Sequence, residues 1–144
     1  MSDYLGKGRS SFVKVTNKEK VILIAKLYGL EYEVKNERIA FFSTNDDGEP
    51  TTTIYDDNYH MLSLGIELGL IADKSALEVE LPEFTNVISE YLCDDEVYVW
   101  KHTGGYMFDL NGYSIAVNNK KQSRYVNIND IHLVGKELGT IKHS

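Results

Sequence analysis

The chain has 144 residues, 42% of them hydrophobic and 26% charged, a composition that fits one globular domain and excludes global disorder. A chain of this size buries about two-thirds of the surface it exposes when unfolded, so it needs no disulfide or metal to hold a core. Its net charge of −7 argues against direct binding to nucleic acid, which requires cationic side chains at the phosphates.

The single cysteine, Cys93, has no partner for an intramolecular disulfide and suits a reducing compartment. Residues 1–11 are polar and Gly-rich, unlike a signal peptide. The apolar run 21–25 is far below the roughly 20 residues of a membrane helix. The expected location is the cytoplasm, with no membrane contact.

The charge is unevenly laid out. Residues 1–40 carry eight basic and five acidic side chains, residues 41–100 one basic and fourteen acidic, and residues 101–144 six basic and three acidic. The acidity therefore belongs to the middle of the chain.

In chain order, residues 1–10 read as a flexible arm and 11–144 as a single α+β domain. Residues 11–15 suit a short strand. Thr16 and Glu19 form a capping-box pattern that starts a helix over 17–28, ending at Gly29. The apolar positions of that helix spread beyond one face, so another element or a second subunit is expected to cover the rest. Leu30, Tyr32 and Val34 alternate with glutamates as a strand, 35–37 turns, and 38–43 is a second strand. The loop 44–50 carries an Asp-Gly turn signal before a strand over 51–55. Leu62, Leu64, Ile66, Leu68 and Leu70 alternate strictly, which predicts a strand over 61–71, followed by another over 77–81.

Pro82 opens a helix over 82–93, with Phe84, Val87, Ile88, Tyr91 and Leu92 at amphipathic spacing. Strands follow at 96–101, 106–110, 113–118 and 123–128, with Gly104-Gly105 and Asn111-Gly112 as turn signals. A last helix is expected from about 129 to 139. Strands in runs, with about three helices, predict a largely antiparallel sheet. Leu23, Ile24, Phe84 and Ile88 are expected in its core.

No catalytic motif emerges. His60, His102, His132 and His143 lack metal-ligand spacing, and no Gly-x-Ser-x-Gly elbow is present. The glycines of 6–11 have no strand before them, as a phosphate loop requires. Asp46-Asp47-Gly48-Glu49 fails as a calcium loop because position 54 is Ile. No catalytic residue, metal or cofactor is expected.

What remains is a binding pattern. Ten residues are tyrosine, a side chain enriched at interfaces. Acidic residues cluster at turns, with tyrosines beside them. The expected partner-binding set is Asp46, Asp47, Glu49, Tyr55, Asp56, Asp57, Tyr59, Asp94, Asp95 and Glu96, facing a protein with a basic surface. A homodimer is a second expected partner.

This acidic, Tyr-rich α+β layout resembles the small proteins of phages and plasmids that inhibit host defence systems. The resemblance is one of overall style and transfers no residue. It implies a non-catalytic, protein-binding inhibitor in the host cytoplasm. The alternatives are a protein that sequesters a nucleotide-like small molecule, in a cleft of tyrosines and basic residues, and a bacterial immunity or antitoxin protein.

Overall fold

A computed structural model describes residues 5–72, 78–106 and 109–127. An antiparallel sheet of six strands forms the base, in the order β2-β3-β1-β6-β7-β8. Its strands are β1 (Leu5–Ser10), β2 (Leu30–Lys35), β3 (Arg38–Ser43), β6 (Val97–Tyr106), β7 (Asp109–Asn118) and β8 (Ser123–Asn127). A small second sheet pairs β4 (Thr53–Tyr55) with β5 (Glu78–Glu80). Three helices are described: α1 (Lys18–Leu27), α2 (Tyr59–Glu67) and α3 (Phe84–Ser89). This is the expected α+β domain with an antiparallel sheet.

Strand periodicity separates the two faces of the large sheet. Tyr98, Trp100 and His102 of β6 point to the inner face and are all buried. Their register partners Val117, Ile115 and Tyr113 of β7 share that face. Lys101 and Arg9, paired across β6 and β1, lie on the opposite, solvent-facing side. On the inner side α3 packs on β6 and β7, while α1 packs on β2 and α2. Four aromatic rings knit the layers. Phe84 of α3 meets Tyr28, Phe41 and Tyr98 at centroid distances of 5.1, 5.3 and 6.1 Å, edge contacts that add to plain burial. The Tyr28 hydroxyl donates a short hydrogen bond to the Pro82 carbonyl.

Several expectations need correction. Leu5–Ser10, read as the end of a flexible arm, is a strand paired with β3 and β6 in the middle of the sheet. A Cβ at Gly8 would sit 2.0 Å from the Gly48 carbonyl oxygen and 2.3 Å from the Trp100 ring. Its glycine serves close approach. Residues 11–15 make only isolated bridges, Val13 to Ile39 and Val15 to Leu92. The cap of α1 is Asn17, whose Oδ1 accepts from Lys20 N at 3.1 Å; the Thr16 amide bonds instead to Tyr91 O.

Residues 61–71 hold a helix and its exit. Asn58 caps α2 through Met61 N, and Leu62 and Gly65 face inward. Ile71 folds back so closely that a Cβ at Gly65 would lie 2.3 Å from its Cδ1. Gly69, at φ +76°, ends the helix in the left-handed conformation. The expected helix over 82–93 is only Phe84–Ser89. Gly104, Gly105, Asn111 and Gly112 lie inside the paired β6–β7 ladder, which runs from Val97↔Asn118 to Tyr106↔Asp109. The helix expected at 129–139 falls outside the described residues.

The wide apolar face of α1 is covered by α2, an element the alternation had concealed. Leu23 is 43% exposed rather than in the core. Ile88 is fully buried, so Ile88→Ala should cost about 2–5 kcal/mol. Leu23→Ala should cost about 0.5 kcal/mol or less. Urea midpoints of the two variants check both; equal shifts would refute this assignment of faces.

Candidate functional site

The inner face of β6, β7 and β8 is aromatic where a packing sheet would ordinarily be aliphatic. His102, Tyr113 and Tyr125 form a continuous stack across the three strands, with centroid distances of 5.3 and 5.4 Å. The first contact is a direct register pair, the second a diagonal neighbour, the two arrangements through which side chains meet across strands.

The loop after β3 crosses this half of the sheet. Its shape is set locally: Gly48 N donates to Asn45 O at 2.9 Å, and Glu49 N donates to Asp47 Oδ1 at 2.9 Å. The Glu49 carbonyl accepts from Ser43 Oγ at 2.8 Å and Asn45 Nδ2 at 2.9 Å. Gly48 takes φ +73° and packs on Gly8. The Glu49 carboxylate is thereby held between two rings. Tyr113 Oη donates to Oε2 at 2.7 Å, and His102 Nδ1 lies 3.1 Å from Oε1.

Beside this carboxylate a cleft of about 380 Å³ opens between α3, residues 49–52 and the β6–β8 face, within the usual size of a ligand site. Six aromatic side chains line it: Tyr28, Phe84, Tyr98, Trp100, Tyr113 and Tyr125. His102 does not, since it lies behind the Tyr113 ring. Two of the lining side chains carry orphaned polar atoms. Tyr98 Oη and Trp100 Nε1 are buried without a hydrogen-bond partner. The Ser10 hydroxyl near Tyr98 donates to Ser11 O and accepts from Phe41 N; its second lone pair is free, yet no bond of normal geometry joins it to Tyr98 Oη. The Trp100 indole lies close enough to the Tyr113 hydroxyl to ease its ionisation, yet no bond of normal geometry closes between them.

Burial dominates the electrostatics. It raises the Glu49 carboxyl above its ordinary value, against the Tyr113 hydrogen bond and the His102 charge, which lower it. The phenols of Tyr98 and Tyr113 are likewise pushed up, chiefly by burial. Among the described residues no three His, Cys, Asp or Glu side chains converge as metal ligands.

The ten residues expected to meet a partner do not form one surface. Asp46, Asp47 and Glu49 share the loop over Gly8. Tyr55, Asp56, Asp57 and Tyr59 surround the start of α2; Tyr55 and Asp57 line a groove with Lys26 and Gly29 at the end of α1. These two groups are neighbours, since Gly29 also touches Thr51 and Asn45. Asp94, Asp95 and Glu96 lie at the other end of α1, where Thr16 and Val15 meet Tyr91 and Leu92. Ten helical residues separate the groups by about 15 Å at 1.5 Å per residue.

Two acids of the set are already engaged. Glu49 holds Tyr113 and His102. Glu96 accepts from Lys14 N at 2.7 Å and pairs with Arg38 at 2.5 Å; the Lys14 amide bond, with Arg38, holds its pKa below the usual carboxylate range despite partial desolvation. Sequence reasoning missed Trp100, Tyr98, Tyr113, Tyr125 and His102. The signal available for three of them was ring-bearing residues at every second position of 98–102, Tyr98, Trp100 and His102, which marks one face of a strand.

Comparison with known proteins returns no match: no family model, no curated protein and no solved structure is similar to this chain.

The two glutamates should titrate in opposite senses. A raised carboxyl such as Glu49 stabilises the fold in acid, with that contribution lost as pH rises from 4.5 through its folded value. Glu96 contributes stability above 4.5 that is lost as pH falls through its lowered folded value. A side-chain carboxyl ¹³C titration should place Glu49 above 4.5 and Glu96 below it. The reverse order would show that hydrogen bonding outweighs burial at Glu49.

Proposed function

We propose that this chain is a non-catalytic binding protein whose working site is the aromatic cleft, and that it holds a small organic molecule there. The observation that carries the reading is the pairing of six aromatic walls with two orphaned buried polar atoms, Tyr98 Oη and Trp100 Nε1. A buried polar group without a partner costs about 1–3 kcal/mol. A sequence bears that cost most readily where a ligand supplies the missing partner. The one hydroxyl of the described lining seen bonded to a carboxylate is Tyr113, which donates to Glu49; burial and Glu49 both push that phenol up, which makes it a poor nucleophile. Of the described lining residues none is Lys, Arg or His. Among the described residues, the cleft thus lacks the basic side chains expected around a nucleotide-like ligand.

A retained molecule should be visible by native mass spectrometry of gently purified protein. Tyr125 is 57% exposed at the rim, so Tyr125→Ala should weaken binding of any such molecule about tenfold while moving stability by about 0.5 kcal/mol or less. Retention unchanged by this substitution would refute the cleft as the site.

A second reading keeps the protein-binding inhibitor. It is favoured by Tyr55 and Tyr59, 58% and 66% exposed, which flank exposed Asp56 and Asp57 at the start of α2. Complementary charge would steer a basic partner toward that turn. The immunity or antitoxin variant shares this physics with a toxin as partner. Asp56→Lys with Asp57→Lys should abolish capture of such a partner and leave the circular dichroism spectrum intact. Capture unaffected by the double reversal would remove this reading.

A further inference from the structure

We propose that the cleft selects an organic ammonium ion, with Glu49 as its counter-charge and the aromatic lining of the cleft as its walls. This rests on the reading of the cleft as a ligand site and adds the chemistry of the occupant. The cleft is lined by two carboxylates, Glu49 and Glu83, and by no described cationic side chain. Aromatic ring faces carry negative potential and attract ammonium groups, more strongly where water is excluded. Rings and carboxylates therefore act in the same sense here: they favour a cation, admit a neutral molecule weakly and repel an anion.

Glu49 is suited to the part. Its side chain is 30% exposed, so one side reaches the cleft while the other is braced. Oε2 accepts from the Tyr113 hydroxyl and Oε1 lies 3.1 Å from His102 Nδ1, and each keeps a lone pair for an N–H donor. The surrounding loop is fixed by five hydrogen bonds within residues 43–49, so the carboxylate is positioned before a ligand arrives. Trp100 Nε1, near the same Tyr113 hydroxyl, can only donate, so an oxygen acceptor on the ligand close to its ammonium group would satisfy it.

Burial makes ionised Glu49 costly in the free protein, and an incoming ammonium relieves that cost. Binding and ionisation of Glu49 are consequently linked, and affinity should rise with pH across the range in which Glu49 loses its proton in the free protein.

Three near-isosteric probes separate the charge classes: tyramine (a cation), tyrosol (neutral) and 4-hydroxyphenylacetate (an anion), titrated calorimetrically into the full chain. Tyramine should bind about tenfold or more tighter than tyrosol, and 4-hydroxyphenylacetate should not bind measurably. Nα-acetyl-lysine amide, run in parallel, reads the source of the group: binding tighter than tyramine assigns the ammonium to a lysine of a peptide, and weaker binding to a free amine. Glu49→Gln should bring tyramine down to the level of tyrosol. Should that variant unfold, Glu49 in the wild-type chain can be followed by its carboxyl ¹³C shift, which should move toward the ionised form on adding tyramine and stay still with tyrosol. Equal affinity for tyramine and tyrosol would overturn the cation while leaving the cleft as a site. Absence of binding by every probe, with no retained molecule in the purified protein, would overturn both.

Discussion

The meeting of Gly8, Gly48 and Trp100 is the contact on which the rest of this structure depends. No Cβ fits at Gly8, because the Gly48 carbonyl and the Trp100 ring already occupy its place. That lets the loop after β3 lie flat on β1 and β6. Glu49 is then delivered to Tyr113 and His102, and Trp100 is pressed into the floor of the cleft. Any side chain at position 8 would lift the loop, and a backbone carbonyl cannot move aside as a flexible side chain can. Overpacking of this kind costs about 1–3 kcal/mol or more, and here it would also dismantle the carboxylate's setting.

The cleft concentrates polar groups where a purely structural core would have none. Tyr28 shows the ordinary solution, a buried phenol that donates to a backbone carbonyl. Tyr98 and Trp100 sit on the same layer without that solution. Phe at 98 would fill similar space with no orphaned atom. The difference between the tyrosine that is satisfied and the pair that is not sets the β6–β7 half of the inner face apart from the α1 half.

Much of the fold was legible because its signals are local. The alternation of 30–34, the amphipathic spacing of 84–92 and the stop at Gly29 each depend on a few neighbouring residues, and the α+β class follows from their order. The errors share one physical cause, which is that glycine has two uses. At Gly6 and Gly8 it reads as a flexible arm, yet Gly8 permits a close approach in the middle of a sheet. At Gly65 and Gly69 it reads as weak helix, yet one glycine admits Ile71 and the other ends α2. At Gly104 and Gly112 it reads as turn, yet both positions lie within a ladder. Which use applies depends on atoms contributed from distant parts of the chain. The site was hidden for the same reason: Glu49 was visible as one acid among fourteen, whereas its partners lie 53 and 64 positions along the chain, at His102 and Tyr113.

The charge layout of the sequence acquires its meaning from the strand order. The two basic ends of the chain supply β1 and β6–β8, which are adjacent, so Arg9 and Lys101 pair across the open face of the sheet with Arg124 on the same side. The acidic middle supplies loops and short elements on the inner side. There the carboxylates are of two kinds. Asp56 and Asp57 are exposed and screened, so they act on a partner only through the long-range field, within about 10 Å at ordinary salt. Glu49 is half-buried among rings, where the effective dielectric is lower and a single charge acts more strongly at contact. An approaching cation would feel the first kind at a distance and the second on arrival. Segregated charge in the sequence thus becomes an open sheet face that carries Arg9, Lys101 and Arg124, with Glu33 paired to Arg9, and an inner side on which Glu49 meets the aromatic cleft.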